Sequence, residues 1–377
     1  MKLKEKLRDG ALILGLLAVT AGLLRYPRQL TEAGQEGVRL CLEVLIPSLF
    51  PFFVLSSVAI SSGLAEGLGR LASPVMERLF RVSGQCAGPL ILGLIGGYPV
   101  GARAVTELYS RGAITKTEAE RMLAFSNNSG PAFILGVVGS AVFLSTGAGL
   151  MLYLCHAAAS LLIGVLFRFY GRGGPSRPVE TQGKRAPLSS VFVESVASSF
   201  MAMLRISGFV TFFTVLIRLI FLSGMVDRAS LVLSVLLPLS RAEAESLITG
   251  FIELTGGVWS IRQAAGSLPA SMALAAFMLG WAGLCVHCQV ISFISQAGLS
   301  SRTYMLGKAL HGLISALLTL ALCRLVPLKV PVSLILAEGV RTAALGGGWL
   351  WSGLGALGLG CLFLIAKRGG KSRENKL

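Results

Sequence analysis

The 377 residues are 54% hydrophobic and only 14% charged, with a mean hydropathy of +0.74, which excludes a water-soluble domain, where about a quarter of residues carry charge. The formal net charge of +16 comes from 34 Lys and Arg against 18 Asp and Glu, yet the basic residues gather in short turns between apolar runs and at the two ends, with no interleaved aromatics. That pattern excludes a nucleic-acid surface and fits the positive-inside bias of a membrane protein, with attraction to anionic lipid as a secondary effect.

The apolar runs do not alternate in polarity, so the spans are helices and not barrel strands of roughly ten residues. The expected fold class is all-α, a polytopic membrane protein of about 8 to 10 transmembrane helices. Seven cysteines, most of them in apolar runs, are an odd count without a compact extramembrane domain, which argues against a disulfide framework.

Met1 to Asp9 is basic and Ala11 to Leu24 is a short apolar run, ending at Arg25 and Pro27. It is expected to be an uncleaved first span or anchor, followed by a mixed-charge linker. Leu40 to Leu64 is long enough to cross but carries Pro47 and Pro51, so it is kinked or enters as a hairpin. Gly69 to Val82 sets Arg70, Glu77, Arg78 and Arg81 among leucines and a phenylalanine, as an interfacial amphipathic helix would.

GLIGGYPVGARAV, Gly93 to Val105, then places Gly96, Gly97, Tyr98 and Pro99 inside a membrane-grade apolar segment, with Arg103 close behind. Backbone unwinds at bilayer depth only where protein or a water-filled cavity supplies the missing hydrogen bonds. The arms on either side, about eight and twelve residues, are each too short to cross a core about 30 Å thick, so Gly88 to Ser110 is expected to be a re-entrant hairpin. Thr115 and Glu118 have capping-box spacing for the next helix. It breaks at Ser126 to Gly130 and resumes at Pro131, so that Lys116 to Val142 forms one crossing made of two half-helices. A further span covers Thr146 to Phe169, and a basic polar linker from Tyr170 to Pro187 is expected on the cytoplasmic side, as are both termini.

The second half replays this order. After a long apolar stretch, Ser199 to Met225, and a polar turn, Arg241 to Glu245, the glycine-rich ITGFIELTGGVWSI matches the first hairpin, and Ser271 to Ile294 matches the broken crossing. Paired interruptions in two halves are the sequence mark of a secondary transporter's binding site. The expected architecture is therefore two repeats, inverted relative to each other, with re-entrant hairpins and discontinuous helices around a midplane cavity. Thr303 to Val326, Val330 to Ala344 and Gly347 to Ala366 add two spans with an amphipathic segment between them, and Trp349 and Trp351 stand at interface level.

Four segments would wall the cavity. In the first, Pro99 opens a half-helix whose free N–H groups, with Arg103, favour an anion; the bland reading is close packing at Gly96 and Gly97 and a snorkelling arginine. Asn127, Asn128, Ser129 and Gly130 offer polar groups where the backbone unwinds; the alternative is that they only satisfy that backbone. Glu253, with Thr255 and Gly256, is an intramembrane carboxylate, a coupling or substrate residue or else a partner for Arg205, Arg218 or Arg262. His287 and Gln289 are expected opposite Glu253, whereas His156 and His311, alone on apolar helices, look like satisfied core histidines. No metal site is expected, because Cys285, His287 and Cys288 lack a second ligand pair. Nor is an enzyme, for want of any catalytic motif or paired intramembrane aspartates.

LIPSLFPFFVLSS from Leu45, GGYPVGARAV from Gly96 and SNNSGPAF from Ser126 resemble the YlbJ-type sporulation integral membrane proteins, which carry nucleoside-recognition (Gate) domains and are similar to concentrative nucleoside transporters. Gly-Tyr-Pro stands at the first hairpin tip where those transporters carry a Gln-Thr-Glu type of sequence. The resemblance implies a division into an N-terminal anchor and linker (1–39), a first Gate-like repeat (40–170), a cytoplasmic linker (171–190), a second Gate-like repeat (191–300) and C-terminal spans with a basic tail (301–377). It also implies a permease of endospore formation in the bacterial cell membrane or the membrane around the forespore, working by alternating access with dipicolinate, a small planar dicarboxylate, as cargo. A nucleoside or other small metabolite is the alternative cargo, and a non-transporting scaffold for spore assembly the alternative role. No cofactor is expected beyond coupling Na+ or H+, and the partners are the lipid bilayer, the solute and, in a homo-oligomer, a second copy.

Overall fold

The computed structural model describes residues 2–62, 71–171, 174, 187–264 and 266–326. Most of the basic linker and the C-terminal elements expected beyond residue 330, with Trp349 and Trp351, lie outside the described residues. Every described element is helical. Among the described residues, four helices are long and apolar enough to cross a membrane, or six if each bent pair counts as one span.

The N-terminal helix runs Lys2–Arg25. The expected linker after it is instead a second helix, Pro27–Leu40, with Pro27 in its first turn. Ion pairs at i,i+4, Arg28 with Glu32 and Arg39 with Glu43, hold its outer face, while Leu30, Ala33 and Gly37 are buried. Mixed charge here marks an amphipathic helix and not a loop, because the apolar positions share one face. A wide turn, Cys41–Leu45, carries it into Ile46–Ser61, with a 56° bend between Pro27–Leu45 and Leu49–Leu55 where Pro47 withholds a backbone donor. Leu71–Phe80 then turns through 96° into Gly84–Gly96, with Met76 and Phe80 buried.

The first hairpin has arms Ala87–Gly96 and Val100–Ser110 around a tip at Gly97 to Pro99. Pro99 caps the second arm from just outside it, one residue earlier than its expected place. The arms close on each other at Gly93 and Gly101, and a Cβ added at either would run into the Ser126 carbonyl oxygen. The first broken crossing follows as Lys116–Phe125 and Ala132–Val142, the latter wound as a wide π-type helix, and the first straight span is Thr146–Phe167. A helix of 35 residues, Leu188–Leu222, about 50 Å long at 1.5 Å per residue, leads to Met225–Leu236 and the second half.

There the same order returns. The second hairpin is Arg241–Ile252 and Leu254–Ser260 with Glu253 at its tip; the second broken crossing is Leu268–Trp281 and Gly283–Gln296; the second straight span is Arg302–Leu325. Gly250 and Gly257 meet across this hairpin and press on Met278, just before the break, as Gly93 and Gly101 press on Ser126. The polar stretch Arg241 to Glu245 is not a turn, because Ser240 and Glu243 cap each other reciprocally and start a helix there.

Thr115 and Glu118 form the matching box of the first half: Thr115 N–H donates to Glu118 Oε2 at 2.9 Å and Glu118 N–H to Thr115 Oγ1 at 3.3 Å. Thr115→Ala is expected to cost about 1 kcal/mol, read as a lower midpoint of thermal unfolding in detergent; an unchanged midpoint would show the box to be idle.

Candidate functional site

Segments from both halves meet around a cavity of about 70 Å³ lined by Gly97 and Tyr98 of the first tip, Ser129 and Gly130 of the first break, Glu253 to Thr255 of the second tip, and Cys285 and Gln289 beyond the second break. Leu45, Leu49, Phe133, Ile206 and Val210 complete an otherwise apolar wall. Tip and break approach closely: a Cβ on Gly97 would stand 3.0 Å from Gly130 N, and one on Gly283 3.0 Å from Leu254 N. Such contacts put unwound backbone of each hairpin beside unwound backbone of its crossing, where a solute can take the hydrogen bonds that helices would otherwise use.

Among the described residues, Glu253 supplies the one carboxylate of the lining. It is 4% exposed, and its two oxygens accept from Thr255 N at 2.8 Å and Gly256 N at 2.6 Å. It thus caps the second arm of its own hairpin, so that helix N-terminus already holds a negative charge. Among the described residues, no ion pair joins Glu253 to an arginine; Arg262 lies over the Trp259 ring instead, 4.9 Å from its centroid.

Arg103 is a correction. It stands exposed on the second arm of the first hairpin, outside the cavity lining, because the buried face of that arm is taken by Gly101, Ala102, Ala104, Val105 and Thr106. The N–H groups expected to face an anion also have protein partners: Val100 N donates to Gly97 O at 2.9 Å, and Ser129 N to His156 Nε2 at 3.0 Å. Asn128 donates its amide to Phe125 O at 2.9 Å, satisfying the end of the first half-helix. Asn127 is buried with both amide ends free of hydrogen bonds of ordinary geometry. Gly96, Pro99, Asn128 and Gly256 each adjoin a lining residue without lining the cavity themselves, and Asn127 lies one residue further from it.

His287 is a second correction. It turns away from Glu253 to Tyr304, Nδ1 to Oη 2.8 Å, and packs edge-on against Trp281. Residues i and i+2 lie about 200° apart on a helix, so Gln289 can face the cavity only if His287 does not.

The sequence reading passed over a third group, Lys308, which is fully buried. Its ammonium lies 2.9 Å from Tyr98 Oη, 3.0 Å from Asn127 O and 3.3 Å from His311 Nδ1. His156 and His311, read as isolated core histidines, pack ring against ring with centroids 4.2 Å apart and planes tilted by 33°. The signal was present: Tyr304, Lys308, His311, Ser315 and Thr319 recur at steps of four, three, four and four, one face of one helix, and all are buried.

Residues 42–172 match the Gate family model, described as nucleoside recognition, a stretch that holds the first hairpin, the first broken crossing and the first straight span. Over 328 residues, 81% of this chain and 80% of the relative, the sequence is 29% identical to the sporulation integral membrane protein YlbJ of Bacillus subtilis (strain 168). The fold matches CNTnw in an outward-facing state with a TM-score of 0.57 at 15% identity, covering 84% of this chain and 91% of that one. It also matches CNTnw in an inward-facing substrate-bound state with a TM-score of 0.52 at 16% identity, covering 84% and 91%. The chain is an integral multi-pass membrane protein with a Gate domain in its first half and a fold like that of CNTnw.

Proposed function

We propose that this chain is a permease that moves a small polar solute during sporulation, by alternating access at the cavity between the two hairpin tips and the two breaks. The observation that carries this reading is the convergence of four interrupted segments, two from each half, on one mostly apolar cavity with few polar groups, as solute sites are commonly built. The sporulation setting comes from the YlbJ relative, and the cargo we assign is a small carboxylate of the dipicolinate kind. With Glu253 the only charged side chain in the lining among the described residues and Arg103 outside it, a dicarboxylate meets a like charge, which costs free energy unless a proton neutralises one of them.

Glu253 also favours a second reading, a neutral solute rich in hydroxyl donors such as a nucleoside, since a desolvated carboxylate is a strong acceptor. Uptake of labelled dipicolinate and labelled uridine into vesicles reconstituted with the full chain separates the two. Saturable dipicolinate uptake, competed by unlabelled dipicolinate and not by uridine, is expected. The reverse preference assigns the second cargo, and uptake of neither removes the transport reading.

A further inference from the structure

We infer that Lys308 is a proton-binding coupling site, a tethered cation at the first break that makes transport proton-linked and independent of Na+. This rests on the permease reading above but not on its cargo.

An ammonium has three N–H donors and no acceptor, and Lys308 Nζ has three neighbours: Tyr98 Oη, Asn127 O and His311 Nδ1. Each of them presents a lone pair. The Tyr98 hydroxyl donates its own hydrogen to Leu279 O at 2.6 Å, so its oxygen accepts from lysine. His311 Nε2 lies 2.9 Å from His156 O, a contact that requires the ring hydrogen on Nε2 and leaves Nδ1 bare. The Tyr98 ring adds a π-face 4.8 Å from the ammonium. A neutral amine would leave one of the three acceptors without a donor, so the nest is shaped for the charged form.

No carboxylate completes it. Among the described residues Lys308 forms no ion pair, and the ion pairs present, such as Arg28 with Glu32 and Arg241 with Asp227, join exposed side chains. The titratable groups around it are Tyr304 and His311 on its own helix, Tyr98 from the first tip, His156 from the first straight span and His287 from the second broken crossing through Tyr304. None of them is an acid of the Asp or Glu type. A charge buried without a counter-ion is costly, so gain and loss of one proton is the available way to balance it.

The partners are the parts that alternating access must move. Tyr98 is in the first hairpin tip, Asn127 in the first break, Leu279 just before the second break and His156 near the middle of the first straight span. In folds with discontinuous helices, carbonyls freed at a break are where coupling cations bind; here the Asn127 carbonyl already receives one on a side chain. The protonated lysine clamps tip and break to its own helix, which His311 ties to the first straight span, and loss of its proton removes one of the three bonds and loosens the clamp.

The test uses the full chain in vesicles, with labelled dipicolinate and labelled uridine as probes. Exchange at equal pH on both sides is measured beside accumulation driven by a pH gradient or by a Na+ gradient. One pH unit should drive about tenfold accumulation at one proton per solute, while a Na+ gradient at equal pH should drive none. Lys308→Gln should still exchange a probe but lose accumulation on the pH gradient, and Lys308→Arg, permanently charged, should lose it too. Accumulation of either probe by the unaltered chain on a Na+ gradient, or on a pH gradient by a folded Lys308→Gln, overturns the coupling site and leaves the permease reading standing. Absence of exchange of both probes by the unaltered chain overturns the permease reading and the coupling site with it.

Discussion

Glu253→Gln is expected to fold and to lose transport, whereas Glu253→Ala is expected to lose both. The carboxylate does two things at once: it accepts from Thr255 N and Gly256 N at the start of the second arm, and it faces the cavity. Alanine strips the cap, at about 1 to 2 kcal/mol, and leaves buried N–H groups unpaired, at about 1 to 3 kcal/mol each, so the tip frays. Glutamine keeps one acceptor oxygen for the cap, but its NH2 cannot accept from the second backbone N–H, so it removes the charge and one of the two cap bonds. A hydrogen bond to a charged group contributes about 1.5 to 3 kcal/mol, so uptake should fall by about ten- to a hundredfold, with the unfolding midpoint lowered less than by alanine because one cap bond is kept. Arg103→Ala, outside the cavity, should leave both unchanged. Normal uptake by Glu253→Gln would reduce Glu253 to a helix cap.

Element order and the two pairs of breaks were legible because glycine, proline and clustered amides inside apolar runs have few other physical uses. The capping box at Thr115 was readable for the same local reason. What could not be read was direction around each helix. Arg103 and His287 were placed at the site from their distance along the chain, but a shift of one or two positions turns a side chain by about 100° or 200°, and both ended on other faces. The helix at Pro27–Leu40 was missed because charge density outweighed periodicity in its reading. Lys308 was passed over for a different reason: one lysine in an apolar helix looks like an exception, and only contacts with Tyr98 and Asn127, 210 and 181 residues away, show that three elements converge on it.

The glycine pairs carry the last large effect. At Gly93 and Gly101 the space for a Cβ is filled by the Ser126 carbonyl, and at Gly257 by the Gly250 backbone; backbone cannot turn aside as a side chain can. Overpacking of this kind typically costs about 1 to 3 kcal/mol, occasionally more, and here it also levers a tip away from the break it must meet. Gly101→Ala and Gly257→Ala are therefore expected to lower both the unfolding midpoint in detergent and solute uptake. Gly208, in the interior of the 35-residue helix, has nothing within 4 Å of an added Cβ. There Gly208→Ala should be neutral or stabilise by about 0.4 to 1 kcal/mol through the lost freedom of the unfolded chain. Opposite signs for the same substitution at Gly101 and Gly208 would place the effect in the hairpin contact. A Gly101→Ala protein as stable and active as the parent would mean that the arms have room to part, and that the match between the two halves lies in element order alone.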